Sequence, residues 1–248
     1  MISIKTPREI ELMRKAGKIV YETHKHLQQY LKEGITTLEL DKIAEKFILS
    51  QNAKPSFKGF NGYPYAICVS VNEQVVHGMP SSLKIKNGDI VSIDIGADYQ
   101  GYHGDSAWSY KIGTLSPEKE YLMENTEKVL LDSLKIIKPG IRLGDISKEI
   151  EKNARGYKLG IVRELVGHGI GNHLHEDPEI PNYFTGSIGP MIKEGMTFAI
   201  EPMLTLGSPR VGIEDNGWTV STLDDSPSAH FEHTILVTKD GYEILTGE

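Results

Sequence analysis

Two stretches of this 248-residue chain recur at almost the same separation. Residues 31 to 43, LKEGITTLELDKI, resemble residues 137 to 149, IKPGIRLGDISKE, 106 positions on: an apolar residue, lysine, a spacer, glycine, isoleucine, then a helical pattern. Residues 85 to 95, IKNGDIVSIDI, resemble residues 192 to 202, IKEGMTFAIEP, at a separation of 107. Either match alone is short enough for coincidence. Together they describe a duplicated unit, and the chain reads as two α+β halves, about residues 10–110 and 115–240. The second match sets Asp94 opposite Glu201, each an acid in an apolar strand. If the halves pack about a pseudo-twofold axis, those two acids can approach each other near it.

The stretch from 93 to 108, IDIGADYQGYHGDSAW, reads as a hairpin that carries two carboxylates. Ile90, Val91, Ile93 and Ile95 make a β-branched strand, turn formers occupy 96 to 104, and Ser106, Trp108 and Tyr110 suggest the return. Asp94 then sits inside the first strand and Asp105 opens the second. Burying a carboxylate unpaired is expensive, and two facing each other repel unless a proton or a cation lies between them.

Elsewhere the pattern alternates helix and strand. Thr6, Pro7 and Glu9 form a helix start with a capping box, and apolar spacing carries that helix to about residue 32. A second helix begins at Thr37 or Asp41. Residues 54 to 66 form a loop, followed by strands at 67–71 and 74–77. Ser116 and Pro117 open a helix to about 137, and another runs from 143 to 155. A segment rich in Gly and His covers 165 to 176, a Pro/Gly/Asn loop covers 177 to 190, and strands are expected at 198–203, 211–214, 218–221 and 234–238. Without a Gly/Ser linker or a charge block, residues 1–248 read as one domain.

Bulk properties narrow the class. The net charge of −7 argues against a broad nucleic-acid surface. Cys68 is the only cysteine, so no disulfide can close within the chain, which fits a reducing compartment. The first residues lack a signal-peptide core, and no apolar run is long enough to span a membrane.

Several acids and imidazoles stand in unusual settings. Glu232 lies beside or within an apolar strand in HFEHTILV, His168 sits between glycines in VGHGIG, His175 follows seven residues on, and His77 follows Val75 and Val76. Carboxylates and imidazoles on strands suit two divalent ions with an activated water. His24, His26 and His103 read as bystanders.

The runs NEQVVHG (72–78), DIGADYQGYHGDSAW (94–108), GHGIGNHLHEDPEIPNY (167–183), FAIEPM (198–203) and FEHTILV (231–237) together resemble the type I methionine aminopeptidase family, in family order along nearly the whole chain. The resemblance implies the pita-bread fold, an α/β (α+β) structure of two pseudo-symmetric halves around a central curved antiparallel sheet with helices outside. It implies a hydrolase that removes the initiator methionine when the next residue is small (Gly, Ala, Ser, Thr, Pro or Val). By resemblance Asp94, Asp105, His168, Glu201 and Glu232 hold two divalent ions (cobalt, manganese, iron or zinc), with Asp105 and Glu232 bridging. Glu201 also shuttles a proton, His175 donates to the carbonyl oxygen, and His77 contacts the substrate amide. Phe60, Tyr63, Cys68 and Trp218 match the methionine pocket. Phe57 falls where some members carry cysteine and Leu174 where some carry an aromatic. Asn72 and Ser228 match a monovalent-cation loop. The implied partners are nascent polypeptides and, transiently, the ribosome, for a cytoplasmic monomer of the short bacterial form. The rival on the same fold is a proline-specific aminopeptidase, which usually carries an amino-terminal domain for which the first helix leaves no room. A non-enzymatic relative would be expected to lose ligands that are all present here.

Overall fold

The computed structural model describes residues 2–248. Helix α1 (Pro7–Gln28) starts at the expected box: Thr6 accepts from the Glu9 N–H, and the Glu9 carboxylate takes the Thr6 N–H at 2.7 Å. Helix α2 (Thr37–Ser50) repeats the device with Thr36 and Glu39. Expected to reach residue 32, α1 ends at Gln28, because the Gly34 N–H is drawn to the Ile85 carbonyl and the chain turns toward the sheet. Helix α3 (Pro117–Leu134) begins after the Ser116 cap and also stops short, at a turn that buries Ile137 ahead of Pro139. Helix α4 (Leu143–Gly156) follows, with Asp145 accepting the Arg142 N–H at 2.9 Å.

The same backbone hydrogen bonds recur in the two halves. Gly34 N–H to Ile85 O and Ile85 N–H to Ile35 O correspond to Gly140 N–H to Ile192 O and Ile192 N–H to Ile141 O. The bridge between Thr36 and Lys84 corresponds to that between Arg142 and Met191. Each half packs a helix pair on its own sheet. Val20, Leu27, Leu40 and Ile48 meet Val69, Ile93 and Ile95 in the first. Leu122, Val129, Leu130, Ile146 and Ile150 share a core with Phe198, Ile200 and Ile235 in the second.

Strands Ile90–Tyr99 and Tyr102–Lys111 pair along their full length. The turn is only Gln100 and Gly101, both at positive φ, with Asp98 accepting the Gly101 N–H at 2.7 Å. The broad turn expected over 96 to 104 is therefore replaced by strand, and Asp105 lies within the return strand instead of opening it. Two glycines that suggested a turn serve close packing. A Cβ at Gly104 would stand 2.7 Å from Gly17 N of α1, and one at Gly96 would stand 2.7 Å from the Phe57 ring.

In the second half, Thr197–Ile200 lies between His233–Val237 and Val166–Gly169. The strand expected over 198–203 breaks after Ile200, where Pro202 has no N–H to give. It resumes as Met203–Thr205 against Ser228–His230 and Gly160–Ile161. Glu176–Pro181, expected as loop, is a strand at the sheet edge, a position that tolerates Pro178. Val211–Ile213 and Val220–Thr222 are somewhat displaced from expectation, and Tyr242–Ile244 adds an edge strand. The hydrogen-bonded ladders form four antiparallel sheets with the helices outside, the mixed α/β arrangement implied by the resemblance.

Candidate active site

The halves meet along a seam made largely through side chains. Thr234 Oγ1 accepts the Asp105 N–H at 2.9 Å and donates to Asp105 O at 2.8 Å. The Glu232 N–H donates to Ala107 O at 2.8 Å. Ser109 Oγ accepts the His230 N–H and donates to His230 O, both at 3.0 Å. This seam sets Asp105 beside Glu232.

Register supplies the other neighbours. Asp94 stands opposite Ala107 and Asp105 opposite Gly96, so the two acids project from one face as a diagonal pair. Ile200 faces His233 and Met203 faces His230, leaving Glu201 and Glu232 across from each other where the strands break. His168, opposite Ala199, brings its Nε2 to 3.6 Å from Glu201 Oε1 and 3.9 Å from Asp105 Oδ2. Its Nδ1 lies 2.8 Å from Gly169 O, and a carbonyl can only accept. The proton therefore sits on Nδ1, and Nε2 turns its lone pair to the acids, the tautomer a ligating imidazole needs.

Ligand-type atoms of Asp94, Asp105 and Glu232 lie within 4.8 Å of one another, as do those of His168, Glu201 and Glu232, and those of Asp105, His168 and His175. Asp94 Oδ1, Asp105 Oδ1 and Glu232 Oε1 are buried with no hydrogen-bond partner. Burial pushes the Asp94 carboxyl up to about 7, while its hydrogen bond with Asp105 pulls the other way. Burial, then Glu232 and Asp94, holds Asp105 far above the carboxylate range; burial and neighbouring acids do the same to Glu201 and Glu232. Burial drives His168 down to about 3, with His175 adding to the shift, so its imidazole is neutral. Four crowded acids, orphaned oxygens and one neutral imidazole form a donor set that fits two divalent cations. Three strands, carrying Asp94, Asp105 and His168, and two strand breaks, carrying Glu201 and Glu232, build it.

The acids and His168 line one side of a cavity of ≈ 190 Å³. Phe57, Phe60, Tyr63, Cys68, Leu174 and Trp218, all expected there, line the rest, together with His77 and His175. Tyr63 meets Trp218 edge-on at 5.1 Å, and its hydroxyl donates to Ile67 O at 3.1 Å. Cys68 pairs with Asp94 in the strand register; burial, reinforced by Asp94, keeps its thiol protonated. Phe57 covers Gly96. His175 stands edge-on to Phe60 and to His168, with ring centres 5.1 and 4.2 Å away.

His77 was expected to close a strand, but Gln74–Val76 ends before it and His77 adopts φ 56°. The next residue explains this: a Cβ at Gly78 would stand 2.2 Å from Val69 O, so the chain bends tightly against the neighbouring strand. Such a conformation in a non-glycine residue marks a constrained, often functional, position. Burial, with a contribution from His175, lowers the His77 pKa.

Asn72 and Ser228 also come together. Ser228 Oγ lies within hydrogen-bond distance of Asn72 O (2.9 Å) and Gln74 O (3.0 Å). The Asn72 carboxamide points elsewhere, to Asp89, the Ile90 N–H and the Lys119 ammonium. Only the Asn72 main-chain oxygen faces Ser228. His24, His26 and His103 lie outside the cavity; His24 stacks on Trp108 and bonds Tyr110 and Ser106.

Two residues escaped the sequence reading. Asn61 lines the cavity from the 3-10 turn Phe60–Gly62. His230 is buried with its Nε2 at 3.8 Å from Glu201 Oε2. The strand period could have found it, since His230 and Glu232 are two apart and share a side when extended.

Comparison with known proteins agrees with this geometry. The model of metallopeptidase family M24 matches residues 11–239. The chain is 53% identical to methionine aminopeptidase 1 of Bacillus subtilis (strain 168) over 246 residues, 99% of each chain. It is 48% identical to the methionine aminopeptidase of Clostridium perfringens over 246 residues, again 99% of each. Its fold matches the crystal structure of methionine aminopeptidase from Thermotoga maritima with a TM-score of 0.98 and 48% identity over the whole of both chains. With its residues, its pita-bread fold and its acid cluster in agreement, the chain belongs to metallopeptidase family M24 and, within it, to the type I methionine aminopeptidases.

Proposed function

We propose that this protein removes the initiator methionine from new polypeptides whose second residue is small, by hydrolysing the first peptide bond. The observation that carries the reading is one cavity walled on one side by rings, Leu174 and a neutral thiol, and on the other by four acids and an imidazole. The apolar side accepts a methionine thioether against Phe60, Tyr63, Cys68 and Trp218. Asp94, Asp105, His168, Glu201 and Glu232 would hold two divalent ions. When bound, these supply Lewis acidity that polarises the scissile carbonyl and acidifies water in the site.

The protein's own groups do the rest. Glu201 takes a proton from the attacking water on its side-chain oxygen and hands it to the leaving amine. His175, neutral near pH 7 because burial lowers its pKa, donates to the carbonyl oxygen as charge develops there. His77 contacts the substrate amide. A neighbouring pocket that shares His77, His168, His175 and Glu201 and is also lined by Leu165 and Val166 offers room for the residues that follow methionine. Crowding by His77 and His175 at the junction favours a small second residue. The monovalent-cation role of Asn72 and Ser228 reduces to their backbone and hydroxyl oxygens. No helix among the described residues is long and apolar enough to cross a membrane. In this reading the enzyme acts in the cytoplasm as a monomer, on nascent chains emerging from the ribosome.

The test is kcat/KM for Met-Gly, Met-Leu, Leu-Gly and Gly-Pro peptides on chelated protein reloaded with manganese or cobalt. Met-Gly should exceed all others. Equal turnover of Met-Leu would overturn the small-residue claim, and preference for Gly-Pro would point to a proline-specific peptidase.

A further inference from the structure

Glu201 is flanked by two imidazoles, one for each of its oxygens. His168 Nε2 stands 3.6 Å from Oε1, and His230 Nε2 stands 3.8 Å from Oε2. The two histidines differ in what else they do. His168 directs its Nδ1 proton to Gly169 O, so its Nε2 is a lone pair. His230 Nε2 is buried and has no hydrogen-bond partner among the described residues. Glu201 Oε2 is a nearby acceptor, about 1 Å beyond hydrogen-bond length. The contact requires a rotation of one of the two side chains.

The backbone of His230 is fixed. Ser109 Oγ grips both its N–H and its carbonyl, and Ser92 donates in turn to Ser109 at 2.7 Å. Pairing with Met203 fixes the strand beside the break where Glu201 sits. Glu201 is held from the other side by Asn182 Nδ2, which donates to its backbone carbonyl at 3.0 Å.

We propose that His230 is a positioning residue for Glu201: its Nε2–H donates to Oε2 and leaves Oε1 directed at His168 and the reacting centre. A carboxylate free to rotate presents either oxygen; one tethered by a buried donor presents the same oxygen at every turnover. The effect falls on the chemical step and not on methionine recognition, because His230 does not line the cavity. The proposal rests on the reading of Glu201 as proton carrier, and its test is chosen to separate the two.

Nitrogen-15 NMR of histidine-labelled, zinc-loaded protein without substrate reads the tautomer of His230, the resonance being assigned by its disappearance in His230→Gln. The Nε2–H form is expected; an unprotonated Nε2 overturns the proposal. In kinetics on Met-Gly peptides, His230→Leu should lower kcat by about tenfold, the scale of one hydrogen bond to a charged group, with KM unchanged. Calorimetry should find two ions in both variants. His230→Gln, whose amide can still donate, should recover most of kcat and serves if the leucine variant fails to fold. Equal impairment of both variants, unchanged kcat in His230→Leu, or loss of an ion in either variant would each overturn a positioning role. A wild type inactive on methionyl peptides would defeat the aminopeptidase reading, while the tautomer would still decide the contact.

Discussion

Replacing Asp94 by asparagine should stabilise the metal-free protein while removing a metal ligand. In the fold, burial pushes the Asp94 carboxyl up to about 7 from 3.8; in the unfolded chain it titrates at about 3.9. Between those values the folded state binds more protons, so the group's contribution to stability falls as pH rises through that window. At pH 7 the mismatch corresponds to about 4 kcal/mol against the native state. The cavity gives water access to part of this side chain, and allowing for that screening leaves about 2 kcal/mol. Asparagine has the same shape, stays neutral, and can donate to Asp105. A gain of about 2 kcal/mol raises the Tm of a chain this size by about 4–8 °C. The assay is thermal unfolding of chelated wild type and Asp94→Asn at pH 7 and pH 5. At pH 5 the wild-type carboxyl is protonated, and the gap should shrink to under about 1 kcal/mol. With excess manganese the order should reverse, since only the wild type gains the full binding energy. An asparagine variant that melts below wild type in chelator at pH 7, or a gap that persists at pH 5, would refute the claim that these acids are packed against their own charge.

His168→Ala should lower affinity for at least one ion and lose activity with it, whereas His175→Ala should keep both ions, leave KM nearly unchanged and lose about 10²–10³-fold in kcat, the scale of one oxyanion donor. Metal titration beside steady-state kinetics separates them, and equal metal loss would make His175 a ligand, as its proximity to Asp105 and His168 permits. Because the four carboxyls are held above their usual range, loading metal at pH 7 should expel protons. Calorimetry in buffers of different ionisation heat measures the release, and heats independent of buffer would contradict it.

Much of the molecule was legible in local sequence because its determinants are local. Thr6–Glu9 and Thr36–Glu39 satisfy helix N–H groups within one turn, so they announce helix starts without tertiary help. The repeated Lys-x-Gly-Ile pattern makes the same backbone contacts in both copies. The four acids stood out because apolar strands bury carboxylates only for a reason, and the resemblance alone selected them with His168 as the expected ligands.

Tertiary structure decided what depends on two distant segments meeting. Gly96 and Gly104 resembled turn residues, but Phe57 and α1 occupy the space a Cβ would need, so the strands run on to a two-residue turn. Pro202 broke a strand whose partners could not be read from its own residues, and the register on either side set Glu201 against Glu232. The strand period puts His230 on the side of Glu232, but its approach to Glu201 depends on Ser109, 121 positions away, which holds its backbone. Residue types and their periods are written along the chain, whereas the distances that turn four acids and an imidazole into a metal centre exist only after the two halves close on each other.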